Sequence, residues 1–468
     1  MSEALDAARA ALRDESVWLV GGAVRDRLLG RAIDDIDLVV DGDVRAAARH
    51  LALAVGGPAF ALSDTHGAWR VIGPDRAWQI DLAPMRGTGI EEDLALRDFT
   101  VNAIAEPLAG GRLIDPHDGA GDIRRHRLRM VTGASFPDDP LRVLRLARFA
   151  CELGLEPEPP TILAAREHAP GIERVAAERV FAEFRRVVAS DRAVHGLELM
   201  ADLGLSARIL PELEALRGVE QNAYHDRDVH DHTLAVLEAV CALQDDPGAT
   251  LGEQHGAAIA AFLDEPLADE LTRGTALRLG ALLHDIAKPA TQLRADDGQV
   301  LGFPRHDELG ATVTREILTR LRASERLRSH VALLSRHHLR LGFLVHHRPV
   351  DDRRLFDYLV RTDPVTLDVT LLSVADRLAT TGRKSEEATE IHLDLARELL
   401  PAIRAWQDGD RPQAIMRGDE LAQAVGLAPG PVLGELLREV AAAHYAQEIG
   451  TPEQAVAHAR AWLAARGH

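Results

Sequence analysis

The chain has 468 residues, 46% of them hydrophobic and 27% charged, which excludes a mainly disordered or collagen-like protein. Its length exceeds what one core fills, so two to four domains are expected. The formal net charge of −19 argues, taken alone, against a nucleic-acid partner, because phosphate binding needs a positive surface.

In chain order, the first residues, MSEALDAARAALRDESVWLV, lack a basic start followed by an apolar block, so no secretory leader is expected. VWLV (Val17–Val20) reads as a buried strand, followed by Gly21-Gly22 and a helix-like AVRDRLLG. IDLVV (Ile36–Val40) and WQIDL (78–82) read as two more strands. From about Phe136 onward apolar residues recur at three and four, the helical period, in DPLRVLRLARFACELG, ERVFAEFRRVV, DHTLAVLEAVCAL and TALRLGALLHDIAK. Proline-rich EPEPPT (156–161) separates two helices, and joins are expected at 217–231 and near 408–412. The fold class is therefore an α+β head followed by an all-α body. The expected divisions are a head at 1–132, a helical neck at 133–216, a metal-binding domain at 217–407 and a helical tail at 408–468. No apolar run is long enough to span a bilayer. Two cysteines, Cys151 and Cys241, fit a reducing cytosol. Only Lys288 and Lys384 are lysine; arginine's rigid fork suits phosphate and base edges, although a GC-rich coding sequence gives the same bias.

Residues two apart on a strand share a face, so Asp35 and Asp37 are expected to project together, with Asp34 opposed. Parallel carboxylates repel, and they make sense as ligands for a hard cation such as Mg²⁺. Asp81, within WQIDL, supplies a third carboxylate from a neighbouring strand. Such a trio, bridging two metals, can activate an attacking hydroxyl and neutralise a leaving pyrophosphate. Backbone amides at Gly21-Gly22 can cradle a triphosphate.

The order strand, glycine turn, helix, DxD strand resembles the polymerase-beta-like nucleotidyltransferase arrangement. LVGGAVRDRLLG, DDIDLVV, LRDFTVNAIA, DPHDGAGDI, DDPLRVLRLARF and ERVFAEFRRVV together resemble the class II tRNA nucleotidyltransferase and bacterial poly(A) polymerase family. The resemblance implies that Asp35 and Asp37 bind metal, with Asp81 as the third acidic residue. It implies that Gly21, Gly22 and Arg25 lie beside the triphosphate, and that Arg97, Asp98 and Asn102 contact the nucleotide and its ribose. Leu96 stands where the family has a first arginine, and Asp138 where it usually has Glu. Asp139 and Arg142, with Arg145 a helical step on, match the element that pairs with the edge of incoming C or A; a carboxylate accepts from an exocyclic amine and a guanidinium donates to ring nitrogen or carbonyl. The connection APMRGTGIEEDLAL between Leu82 and Arg97 is shorter than the flexible segment of many CCA-adding members. It resembles members that add only the terminal A or make poly(A).

Histidine and aspartate recur further on: His232 (or His230) in DVHDHTL, His284-Asp285 in LLHDIAKP, His306, His337-His338 and Asp376. The adjacent His-Asp pair, with a histidine before and an aspartate after, suits an octahedral divalent metal, and His306 with His337 could hold a second. This pattern resembles the HD phosphohydrolase superfamily, which implies a site for Ni²⁺, Mn²⁺ or Mg²⁺ and phosphatase or 2′,3′-cyclic phosphodiesterase activity. The tail segment from Ile415 to Val440 is expected either to touch RNA backbone or to form a packing hairpin.

The resemblance thus implies a cytoplasmic, Mg²⁺-dependent enzyme extending the tRNA 3′ end from ATP and CTP, with no membrane and no obligate protein partner. The alternatives are an A-only enzyme or poly(A) polymerase, an HD phosphohydrolase with a nucleotide-binding head, and a silent RNA-binding protein. Residues 124–148 carry seven Arg against two Asp, a local balance of +5 that would admit an RNA end to an otherwise acidic chain.

Overall fold

The computed structural model describes residues 2–33, 35–63, 67–221, 226–382 and 385–467; Asp34 and Lys384 lie outside them. Two compact units divide between Ile209 and Leu210. No helix among the described residues is long and apolar enough to cross a membrane.

The first unit opens with an α+β head. Strands β1 (Val17–Val20), β2 (Ile36–Val40), β3 (Ala59–Ser63), β4 (Ala68–Ile72), β5 (Gln79–Pro84) and β6 (Ala105–Pro107) form one sheet in the order β3-β4-β5-β2-β1-β6. β2 and β5 run parallel, and the other neighbours are antiparallel. The connection from β2 to β5 runs through the helix Val44–Val55 and then the β3–β4 pair; the helix N-terminus is capped by Asp43, which accepts from the Ala46 amide at 3.0 Å. Val20, Val39, Ile90, Leu94, Ala103 and Ala105 pack beneath the sheet.

Beyond the head the chain is helical apart from short strand pairs, such as Arg127–Leu128 with Glu156–Pro157, which absorbs part of the proline-rich break. Helices Leu141–Leu153, Ala177–Ala189 and Ala193–Asp202 pack on one another. Gly196 permits that approach, since a Cβ there would meet Val187 Cγ1 at 2.7 Å and Cys151 Sγ at 3.0 Å.

In the second unit Thr366–Ala379 is the central helix; Leu367, Val369, Leu371, Leu372, Val374 and Ala375 are all buried, so it is apolar nearly all round. Its one fully buried charge, Asp368, is met by Arg273 at 3.1 Å. Helices Val229–Asp245, Arg273–Leu283, Glu325–His337 and Ser385–Gln407 pack around it. The Ile415–Val440 segment forms helices Gly418–Val425 and Pro431–Tyr445, which share a small core with Pro452–Ala465 through Leu421, Leu436, Ala443, Ala455 and Leu463.

Candidate functional site

The head site follows from strand register. Parallel pairing sets Asp37 opposite Asp81, antiparallel pairing sets Arg70 opposite Asp81, and β1 sets Val20 opposite Asp37. Residues directly opposite share a face, so Arg70, Asp81, Asp37 and Val20 form one row ending at the Gly21-Gly22 turn. Burial and the neighbouring Asp81 push the Asp37 carboxyl up to about 6. Arg70 donates to both Asp81 oxygens, at 2.7 and 2.8 Å. Asp35 is exposed, one residue ahead of β2. Carboxylates pressed together this way, with oxygen donors only, fit a hard divalent cation.

A cavity of about 530 Å³ lies at the turn, lined by Gly21, Gly22, Arg25, Asp35, Asp37, Arg97, Asp98, Asn102, Asp139, Arg142 and Arg145. Every nucleotide-binding residue expected from the sequence is among them; Asp81 stands behind Asp37 and does not line it. Gly21 adopts φ +65°, a conformation that favours glycine, and a Cβ there would meet Arg97 Nη1 at 3.0 Å.

Asp98 is the hub of this cavity. It accepts from the Phe99 amide at 2.8 Å, Asn102 Nδ2 at 3.0 Å and Arg145 Nε at 2.8 Å. Although burial alone would raise it, Arg145 and these donors hold its carboxyl down at about 2. Asn102 in turn accepts from Arg25 Nη1 at 2.7 Å. Asp139 Oδ2 pairs with Arg179 at 2.8 Å, and Arg142 donates to the Leu96 and Ser135 carbonyls at 2.8 and 3.1 Å. The short connection after β5 is ordered: helix Ile90–Ala95 carries the buried Asp93, which holds Arg86 Nε at 3.0 Å and Arg97 Nη2 at 3.1 Å. DPHDGAGDI acts one step back, where Asp122 accepts from Thr100 Oγ1 at 2.7 Å and so fixes the turn bearing Asn102.

Arg70, Arg86, Asp93 and Arg179 escaped the sequence reading. For Arg179 the signal was its place in ERVFAEFRRVV; for the others, only the register and contacts reveal them. The arginine-rich run is also less available than its count implies. Arg125, Arg127, Arg129, Arg145 and Arg148 are all paired with carboxylates, to Asp122, Glu158, Asp122, Asp98 and Glu183 respectively.

In the second unit, His232, His284 and Asp376 bring ligand atoms within 4.8 Å of one another, as do Asp285, His306 and His338. His232 Nε2 lies 3.0 Å from Asp376 Oδ1 and 3.8 Å from Asp285 Oδ2. His306 Nε2 and His338 Nε2 lie 3.3 and 3.7 Å from Asp285 Oδ1, and 3.3 Å from each other. When neutral, as metal ligation requires, three rings share one tautomer, because each Nδ1 faces a carbonyl, which can only accept: His284 to Ala281, His306 to Phe303 and His338 to Ser335, at 2.8, 2.7 and 2.8 Å. Their Nε2 lone pairs therefore converge. His284 Nε2 and Asp285 Oδ1 are buried with no partner in hydrogen-bonding geometry. Burial and neighbouring His284 push His338 down to about 4, and burial notwithstanding, His284 and Lys288 hold Asp285 well below the usual carboxylate range. A buried cluster of lone pairs around a carboxylate fits divalent metal.

Two expectations need correction. His337 does not join the cluster; its Nδ1 accepts from Arg340 at 2.8 Å, and His338 takes its place. The helix ends at His337, and the turn aims the next residue inward. The His284-Asp285 pair lies in the turn after helix Arg273–Leu283 rather than within it. His230, the alternative to His232, pairs with Asp231 at 3.3 Å.

Comparison with known proteins agrees with this geometry. Residues 17–89 and 80–129 match a poly A polymerase head domain model, 154–216 a probable RNA- and SrmB-binding site of polymerase A, and 229–381 an HD domain. The chain is 36% identical over 450 residues to an A-adding tRNA nucleotidyltransferase of Deinococcus radiodurans, covering 95% of each chain. It is 31% identical to a CC-adding tRNA nucleotidyltransferase of Thermus thermophilus, covering 96% of this chain and 94% of the relative. Its fold resembles a Thermotoga maritima CCA-adding enzyme complexed with tRNA, with TM-score 0.61, 19% identity and coverage of 99% and 98%. The head family and the HD domain both imply divalent-metal chemistry.

Proposed function

Because the chain belongs to the tRNA nucleotidyltransferase and poly(A) polymerase family, we propose that it is a cytosolic enzyme adding CMP and/or AMP to the tRNA 3′ end without a nucleic-acid template. The observation that carries this reading is the Asp37–Asp81–Arg70 row opening on a cavity that also holds Asp98, Asp139 and Arg142. Asp35 and Asp37, with Asp81 behind them, would hold Mg²⁺, which when bound activates the attacking hydroxyl and offsets pyrophosphate charge. Arg25 and Arg97 flank the glycine turn and meet the triphosphate. Asp98, through Asn102 and Arg145, sets the ribose position. Asp139 and Arg142 read the base edge, exchanging Arg179 and the backbone carbonyls for it. The RNA 3′-oxygen bonds to the α-phosphorus, the bond to the β-phosphate oxygen breaks, and pyrophosphate leaves.

The divisions at 1–132, 133–216, 217–407 and 408–468 assign catalysis to the head, base selection and RNA binding to the neck and metal-dependent hydrolysis to the HD domain, and leave 408–468 as a helical tail. The short connection from Leu82 to Arg97 and the A-adding relative both favour addition of the terminal A alone. The test uses tRNA transcripts ending before CCA, after C and after CC, each with CTP, ATP or both. Extension of only the CC-ended transcript, by one A, is expected. Full CCA synthesis refutes A-only addition, long A tails on unrelated RNA favour the polymerase, and no extension of any transcript refutes the reading.

A second activity is favoured by the converging Nε2 lone pairs around Asp285. His232, His284, Asp285 and Asp376, with His306 and His338, would hold Ni²⁺, Mn²⁺ or Mg²⁺ for hydrolysis of a phosphate ester such as 2′,3′-cyclic AMP. Asp35→Ala should abolish nucleotide addition and spare this hydrolysis; equal loss of both breaks the two-site reading.

A further inference from the structure

The nucleotide cavity runs past the residues given a role so far. Along helix Leu141–Leu153 its lining continues from Arg142 and Arg145 to Arg148, Phe149 and Glu152. At spacings of three and four these residues share one side of the helix. At about 1.5 Å per residue, Glu152 stands roughly 15 Å along the axis from the base-reading Arg142.

This end is lined by guanidiniums. Arg31, just after helix Gly22–Leu28, donates to the Glu152 carbonyl at 2.7 Å. Arg186 reaches in from helix Ala177–Ala189 and is half exposed. Arg25 and Arg148 lie over the Phe149 ring, 5.1 and 4.0 Å from its centre.

Glu152 sits among them with both carboxylate oxygens engaged. Oε2 lies 3.1 Å from Arg148 Nη1, and Oε1 lies 2.5 Å from Arg186 Nη2. Although burial alone would raise it, Arg148, Arg186 and Arg25 hold this carboxyl below the ordinary glutamate value. The two arginines depend on it unequally. Buried Arg148 also holds Glu183, at 2.6 Å, whereas among the described residues Glu152 is the only carboxylate within reach of Arg186.

A carboxylate gripped by two guanidiniums, inside a cavity fit for a triphosphate, occupies an anion's place. Terminal phosphates that reach Arg148 and Arg186 must displace it, and it competes for the same donors when product leaves. Glu152 also stands where the cavity opens. A second cavity of about 480 Å³, lined further by Arg192, shares Arg31, Glu152, Leu153 and Arg186 with the first.

Resting on the nucleotidyltransferase reading of this cavity, we propose that Glu152 is a positioning residue for product release. It competes with the terminal phosphates for Arg148 and Arg186, and so loosens the hold on pyrophosphate.

The full chain, with Mg²⁺, is titrated by calorimetry with pyrophosphate, ATP and AMP. Glu152→Gln keeps the shape and removes the charge. It should tighten pyrophosphate about ten-fold, tighten ATP in the same direction, and leave AMP, which lacks the terminal phosphates, unchanged. Binding elsewhere on the chain is common to all variants and cancels in the comparison. In turnover, pyrophosphate should inhibit Glu152→Gln at about ten-fold lower concentration. Arg186→Gln, at a half-exposed position, should weaken pyrophosphate binding, and in the double variant the gain from Glu152→Gln should shrink. A carboxylate that only holds the two arginines in place predicts the opposite sign, with Glu152→Gln weakening pyrophosphate and ATP. That result, no change in either, or equal tightening of AMP overturns the proposal and spares the nucleotidyltransferase reading. Pyrophosphate affinity indifferent to Arg186→Gln overturns it as well, whether or not Glu152→Gln folds. Wild-type protein that binds neither ATP nor pyrophosphate overturns the nucleotidyltransferase reading, and this inference with it.

Discussion

Asp98→Asn is a sharp test of how the nucleotide cavity is held together. The substitution keeps the shape and removes the charge that Arg145 meets at 2.7 Å. The folded carboxyl sits at about 2 against an ordinary 3.8, because Arg145, Asn102 and the Phe99 amide stabilise the anion more than burial costs it. At about 1.36 kcal/mol per pKa unit, this difference is worth roughly 2 kcal/mol of stability. The folded pKa is depressed, so the contribution is complete above about pH 5 and is lost as pH falls from about 4 towards 2. The introduced side chain would also turn an amide or a weaker acceptor toward Arg145, so roughly 2 kcal/mol is the lower bound near neutrality. Urea unfolding with pulsed hydrogen exchange, read on peptides covering Leu141–Leu153, isolates the affected unit, because a two-unit chain need not unfold in one step. The variant should be less stable than wild type near pH 7, and the gap should narrow as the pH is taken down through 4. A gap absent at neutrality, or undiminished in acid, would refute the hub role assigned to Asp98.

Gly21→Ala should cost about 1–2 kcal/mol from its positive φ and displace Arg97, raising the KM for ATP and lowering the melting temperature of the first unit. Arg179→Ala releases Asp139, so steady-state incorporation of A over the other three nucleotides should become less selective while tRNA affinity holds; unchanged selectivity would count against Arg179 as a positioning residue. His338→Ala should lower bound metal, read by elemental analysis, whereas His337→Ala should leave it near the wild-type level; the reverse order would restore His337 as the ligand. Chelation should lower the melting temperature of the second unit, since metal at about 100-fold over its Kd stabilises by about 2.7 kcal/mol; an unchanged value would count against metal at the His–Asp cluster.

What the sequence made legible was local order. β1 and β2 run over the residues expected because short apolar runs bounded by turns are strong strand signals. β3 and β4 went unread: β3 is an edge strand with Phe60 and Leu62 exposed, and β4 carries Arg70 where a buried strand would carry an apolar residue. That arginine is the partner of Asp81, so the break in the pattern was itself the trace of the site. His337 and His338 are adjacent, and helical phase cannot choose between them because the helix stops at the first.

The contacts that organise the cavity are long-range: Arg145 to Asp98, Arg142 to Leu96 and Arg179 to Asp139 span 47, 46 and 40 residues. A motif identifies the residues but not their present partners. The same distinction revises the reading of charge. The +5 balance of residues 124–148 is largely met by Asp98, Asp122, Glu158 and Glu183, three of which lie outside the run's neighbourhood in sequence. Cations already paired with protein carboxylates release few counterions when RNA binds. The logarithm of tRNA affinity should therefore fall with the logarithm of salt less steeply than seven phosphate contacts would require, at about 0.7–0.9 per contact. A slope equal to seven contacts would mean that the arginines abandon these carboxylates for phosphate, and that the ion pairs holding the cavity are broken on RNA binding.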